Sequence, residues 1–261
     1  MAPLGRALRP CATRRRSGKP ETDPLPSDSN VTYVGPILWQ KKGAEVPEWI
    51  IHRDRTRPLI WVYSGNPRYG SGGGTLDSFV VLKASIAALR GLDVQVVLTT
   101  GHHELPRELL PLPVNCRHEA YLPGLAMADH AELLIHHGGY GSRQTGLFAG
   151  KPAVIMPTFS ERESNARRVA ALGAAIVVPV EIIGGRKHVN PDILRQAVNC
   201  VLGNSQYLES ARRQGVQLRR YGGAQAAGRL IGEFAARRHG YATVRASASD
   251  SRENSCALSD R

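Results

Sequence analysis

The stretch LLIHHGGYGS, residues 133–142, decides the fold. Residues 133–136 have the length and composition of a buried strand. A glycine-rich loop follows, and from Ser142 to Ala149 the apolar residues return at helical spacing. The same alternation repeats outward in both directions. Toward the N-terminus it predicts strands at 59–63, 94–99 and 114–121, a helix over 76–90 that stops at Gly91, and a short helix over 125–131. Toward the C-terminus it predicts strands at 153–156 and 174–178, a helix over 161–172, and helices filling most of 190–236.

Strands alternating with helices at this spacing make βαβ units, whose parallel sheet is covered on both faces. Right-handed crossovers then give an α/β, doubly wound, Rossmann-like sheet. In such sheets ligands sit beyond the carboxyl ends of the strands. The loops after residues 63, 99, 121, 136 and 156 are therefore the places to look for chemistry.

Residues 1–30 read as a disordered basic tail, residues 31–238 as one folded domain, and 239–261 as a second loose tail. The chain carries a net charge of +12, and basic residues gather at both ends, with Arg6, Arg9, Arg14, Arg15, Arg16 and Lys19 before the core and Arg237, Arg238, Arg245, Arg252 and Arg261 after it. No aromatic residues interleave with the basic runs, so a stacking platform for single-stranded nucleic acid is not expected and no nucleic-acid partner is assigned. No run of about 18 apolar residues predicts a transmembrane segment, and the basic N-terminus has no apolar signal-peptide core. Cys11, Cys116, Cys200 and Cys256 are scattered, with no C-x-x-C pair. They read as free thiols, which implies a reducing, cytoplasmic setting.

The loop HHGGYGS, residues 136–142, suits a phosphate. Its glycines let the backbone come close, and the first amides of the next helix have no partner and carry the positive dipole end. His137 and Ser142 add donors, whereas His136 points to the opposite face and reads as a packed residue. The alternative is an ordinary glycine-rich strand-to-helix turn. The loop SGNPRYGSGGGT, residues 64–75, lies at the same sheet edge and could wrap the same anion, with Arg68 in reach, or be a plain flexible loop. It is neither a Walker A loop nor a dinucleotide fingerprint. After residue 156 come Glu161, Arg162, Glu163 and Asn165. The carboxylates of Glu161 and Glu163 could hold sugar hydroxyls, or simply favour a helix start capped by Ser160. No metal cluster is expected, and His102, His103 and Glu104 read as surface loop.

Residues 121–173 resemble the nucleotide-binding signature of inverting UDP-glycosyltransferases of the GT-B fold, in particular the bacterial macrolide and flavonoid branch. The matching residues are YLPGLAMADH at 121–130, HGGYGS at 137–142, Gly150-Lys-Pro at 150–152, Pro157, Glu161, Arg162, Asn165, Ala166, Leu172 and Gly173. Residues 31–39 resemble the family's interdomain linker, and 59–66 the first strand of its C-terminal domain. The resemblance implies the nucleotide-sugar-binding half of a hexosyltransferase, with a nucleotide-diphosphate sugar as co-substrate, no cofactor and no metal. It places Tyr121 where an aromatic ring stacks on uracil, and Leu122 where the backbone bonds the base edge. His137, Gly139, Gly141 and Ser142 fall where the diphosphate is held, Asn66 where the phosphate site is lined, and Glu161 where an acid binds sugar hydroxyls.

Three positions depart from that pattern. Thr145 stands where a Glu grips the ribose, Arg162 where a Gln follows the sugar-binding acid, and Gly124 where a Gln follows the uracil segment. Losing a charge-assisted ribose contact weakens nucleotide binding by roughly 1.5–3 kcal/mol. Arg162 could favour an acidic sugar or take over a phosphate contact. Full family members are about twice as long, and their other half carries the acceptor pocket and a catalytic histidine. The resemblance thus implies a donor-binding half with no catalytic base of its own. It could be a fragment, a subunit that needs a separate acceptor-binding partner, or a non-catalytic nucleotide-binding remnant. The acid and histidine pattern of a GT-B epimerase is not found.

Overall fold

The computed structural model describes residues 32–40, 43–65 and 79–239, with side chains to residue 236. The expected tails, apart from His239, lie outside the described residues, as do Asn66 and Arg68. After a short helix α1 (Glu48–Ile51), the chain alternates β1 (Leu59–Tyr63), α2 (Val80–Leu89), β2 (Gln95–Thr99), β3 (Cys116–Glu119), α3 (Gly124–His130), β4 (Leu133–His136), α4 (Tyr140–Ala149), β5 (Ala153–Ile155), α5 (Ser160–Ala171) and β6 (Ala175–Val177). A hairpin of β7 (Glu181–Ile183) and β8 (Arg186–His188) leads to α6 (Pro191–Gly203), α7 (Ser205–Arg219) and α8 (Gly223–His239).

The six strands β1 to β6 form one parallel sheet in the order β3-β2-β1-β4-β5-β6, the doubly wound arrangement the alternation predicts. Side chains alternate across each strand. Ile60, Val62, Val96, Leu98, Leu133 and Ile135 join α2 and α6 in one core layer. Leu59, Trp61, Val97, Leu134 and Ile155 join α3, α4, α5 and α7 in the other. Each such aliphatic or aromatic side chain contributes about 1.5–3 kcal/mol on burial. The sheet is held from both sides, which is why its strands read as unbroken apolar runs.

The strand order reverses between β1 and β4, so the crevice at their carboxyl ends is the expected ligand position. Residues 32–40 are bonded to the domain at more than one place, the Gln40 side chain accepting from the Ala126 amide of α3 at 3.1 Å. Gly223 donates its amide to the Val34 carbonyl at 2.7 Å. Gly35, at φ +80°, leaves its Cβ position to the Tyr221 side chain, whose own Cβ is the nearest atom.

Two expectations need correction. The hairpin around Gly184 and Gly185 was not anticipated, although a Gly-Gly pair with both residues at positive φ (57° and 75°) is a hairpin signal. Cys116 is a buried free thiol, but Cys200 is disulfide-bonded. The absence of a C-x-x-C pair says nothing about pairing with a cysteine distant in sequence. Among the described residues no helix is long and apolar enough to cross a membrane.

Candidate functional site

The crevice at the switch point holds a cavity of about 670 Å³. It draws on the ends of β1 to β4 and on the first turns of α4 and α5. Tyr121, Leu122, His137, Gly139, Gly141, Ser142, Thr145 and Arg162 all line it. Eight of the ten residues singled out from sequence are thus brought together by the fold. Asn66 lies outside the described residues. Glu161 is exposed and is not part of the wall; it accepts a hydrogen bond from Asn165 Nδ2 at 2.5 Å.

One end of the cavity is built around α4. Its N-cap is Gly139, and no side chain caps the helix. The first-turn amides therefore have no partner within the helix, and Gly139, Gly141 and Ser142 present that turn to the cavity. The dipole end and free N–H groups make this an anion site.

His137 stands beside this turn, only 6% exposed, and its buried Nδ1 has no hydrogen-bond partner. Burial, helped by the charge of Arg162 and opposed by the Tyr63 carbonyl, pushes its pKa down to about 4. The ring is therefore neutral near pH 7. It fits tightly between two glycines. A Cβ on Gly65, at φ +93°, would lie 2.8 Å from its Cε1, and a Cβ on Gly139 would overlap its Nε2. These two glycines are demanded by the imidazole itself, a packing reason that loop composition does not reveal.

The turn before α4 is also fixed from behind. Gly138 adopts φ +86°, where a Cβ would meet the Arg162 carbonyl at 2.8 Å. Its own carbonyl accepts from Asn165 Nδ2 at 3.1 Å. Its amide donates to His136 Nδ1 at 3.1 Å, and His136 is fully buried with a pKa lowered to about 3, first by burial. His136 is thus the packed, structural histidine that the strand alternation predicts. Ser160 is the first residue of α5 rather than its cap; Phe159 holds the cap position without a side-chain bond.

Arg162 is the charged side chain of the cavity wall. It donates to Thr158 Oγ1 and lies over the Phe159 ring, 4.6 Å from its centroid, with Lys187 Nζ 4.1 Å from the same centroid. Burial lowers its pKa, against the pull of Glu161. Among the described residues no carboxylate is bonded to this half-buried guanidinium, which suits it to an anionic partner.

The other end was only partly anticipated. Trp61 donates Nε1 to Thr99 Oγ1 at 3.0 Å, and both line the cavity with Tyr63, Gly65, Gly101 and His102. Trp61 and Tyr63 lie in an apolar strand that reads as core. Gly124 faces Trp61 and Thr145, with room for a Cβ at 3.7 Å from Thr145 Cγ2. His102 keeps the exposed loop position expected of it, but its role in the wall was not anticipated. It lines the cavity and stacks on Tyr121, with ring centroids 4.3 Å apart and planes 11° off parallel. Among the described residues no group of three or more His, Cys, Asp or Glu is placed to hold a metal.

The family model described as erythromycin biosynthesis protein CIII-like, C-terminal domain, matches residues 83–219, more than half of the chain. The chain belongs to this family. Relatives of this EryCIII-like domain are glycosyltransferases. The NDP-glycosyltransferase YjiC of Bacillus subtilis is 29% identical over 207 residues, covering 79% of this chain and 49% of the relative. The 4'-demethylrebeccamycin synthase of Lentzea aerocolonigenes is 31% identical, covering 70% of this chain and 40% of the relative. The crystal structure of CalG4, the calicheamicin glycosyltransferase, superposes with a TM-score of 0.63 at 25% identity, over 79% of this chain and 47% of that one. The EryCIII-like chain therefore spans about half the length of the relatives it matches.

Proposed function

We propose that this chain is the donor-binding half of a glycosyltransferase that moves a hexose from a nucleotide-diphosphate sugar, UDP-linked, to a small-molecule hydroxyl with inversion. The observation that supports this best is the uncapped, glycine-edged start of α4, opening beside neutral, buried His137 onto a cavity that ends in an aromatic pair. The α4 amides and His137 would stabilise the charge that develops on the departing diphosphate, an electrostatic contribution that a preformed, partly dry site makes large. Tyr121 would carry the base and Leu122 its edge. Thr145 and Arg162 complete the proposed donor contacts of the cavity wall. The donor is a co-substrate, and no metal or organic cofactor enters the proposal. The acceptor and the base that deprotonates it would come from an acceptor-binding unit beyond the described residues, in the same protein or in a partner.

Within this reading the donor carries an anionic group at Arg162. Glu161 is engaged by Asn165, so the wall offers a guanidinium where sugar hydroxyls would prefer a carboxylate. Calorimetry with UDP, UDP-glucose and UDP-glucuronate tests this. A carboxylate sugar at Arg162 predicts UDP-glucuronate about 10-fold tighter than UDP-glucose, one charge-assisted bond, with the preference erased in Arg162→Gln. If Arg162 instead holds the second phosphate, the same variant weakens UDP and both sugars alike. A variant that changes none of these affinities would remove Arg162 from the site.

A further inference from the structure

Beside Tyr121, the cavity wall contains an aromatic contact that the donor pattern above does not use. His102 is exposed, yet it is held. It has φ +72°, the left-handed region that non-glycine residues seldom enter, although histidine is among the better tolerated there. Its amide donates to the Ala120 carbonyl at 2.7 Å, the residue just before Tyr121. Two residues back, the Thr100 hydroxyl bonds the His103 carbonyl and lies 2.9 Å from His118 Nε2. The loop after β2 is thereby stitched to the end of β3, and the result is an imidazole parallel to the phenol ring. Left-handed backbone at a non-glycine residue persists where the surroundings hold it, and such residues gather at ligand sites.

Tyr121 follows β3, while the anion end follows β4, three strands away in the sheet. At the usual spacing of neighbouring strands that is roughly 14 Å, a span that a nucleoside diphosphate can cover from base to terminal phosphate. Tyr121 keeps 42% of its surface exposed despite the stack, so an aromatic face is left for a ligand.

We infer that His102 is a positioning residue for base recognition. Its imidazole backs one face of the Tyr121 ring, and the donor's nucleobase stacks on the other. The left-handed backbone at His102 sets the imidazole parallel to Tyr121 before the ligand arrives. This inference rests on the proposal that the cavity takes a nucleoside diphosphate. It adds a residue from the β2 loop to the base end of the site.

The test is calorimetry on the full chain with UDP, dTDP and inorganic pyrophosphate as probes. His102→Ala is expected to weaken UDP and dTDP about 5-fold, the size of one aromatic stacking contact, and to leave pyrophosphate unchanged. His102→Phe, which keeps a flat ring, is expected to restore most of the loss. Nucleotide binding by His102→Ala that equals or exceeds wild type would overturn the inference, the second outcome meaning that the imidazole occupies the base's own place. A His102→Phe variant as weak as His102→Ala would overturn it too. If the wild-type chain binds pyrophosphate but neither nucleotide, the proposed donor reading fails along with it, a result distinguishable from failure of His102 alone.

Discussion

Helices α4 and α6 begin in opposite ways. Helix α6 is finished for stability. The Asn190 side chain accepts from the Asp192 amide at 2.9 Å and the Ile193 amide at 3.4 Å, Pro191 fills a position that needs no N–H, and Asp192 faces the positive dipole end. Helix α4 has none of this: a glycine cap, no side-chain acceptor, no acid in its first turn. Two helices of one domain can share backbone physics and differ in what their first amides are for. Those of α6 are satisfied internally, and those of α4 are left for something that enters the cavity.

The largest expected effect comes from closing the α4 end. Gly139→Ala sets a Cβ into the His137 ring, so either the imidazole or the turn must move. UDP affinity should fall at least about 30-fold, equivalent to roughly 2 kcal/mol, in titrations against wild type. Unchanged affinity would mean that this turn is not where the ligand's charge sits.

Acid should act on the same region. His136 and His137 have folded pKa values lowered to about 3 and about 4, first by burial. Their neutral forms suit the fold, so the stability they permit is complete above the unfolded value near 6.5. It is lost as pH falls from there toward those folded values. By pH 5 each costs about 2 kcal/mol. Urea melts at pH 7 and pH 5 should show this loss, and His137→Asn should remove its share. A stability flat between these pH values would contradict the burial assigned to both rings.

The smallest effect sharpens the contrast from the other side. Asn190→Ala should cost about 1 kcal/mol of stability and leave nucleotide affinity untouched, read by melts and titration together. A loss of affinity there would mean that the two helix starts are not separable.

Much of this was legible in the sequence for physical reasons. Strands buried on both faces announce themselves as apolar runs, and β1 and β4 have the predicted bounds. Loops at strand ends converge by topology, which is why His137, Ser142 and Tyr121, far apart in sequence, meet in one cavity. What escaped was of a different kind. Trp61 is apolar and lies in a strand, so nothing marks it as a wall of the site. His102 depends on a backbone angle and on the partner its ring finds across a loop, and neither has a sequence period. Glu161 was singled out by position, but Asn165, one helical turn later, engages its carboxylate, an interaction open to any such pair at i, i+4.

The most direct test of the account is calorimetry of UDP binding to the wild-type chain beside His137→Ala, with Asn190→Ala as a control for fold. The wild type and the control are expected to bind measurably, and His137→Ala to lose about 10-fold or more, the size of one hydrogen bond to a charged group. Equal binding by wild type and His137→Ala, or no binding by any of the three at millimolar ligand, would contradict the claim that the α4 end of the cavity holds a diphosphate.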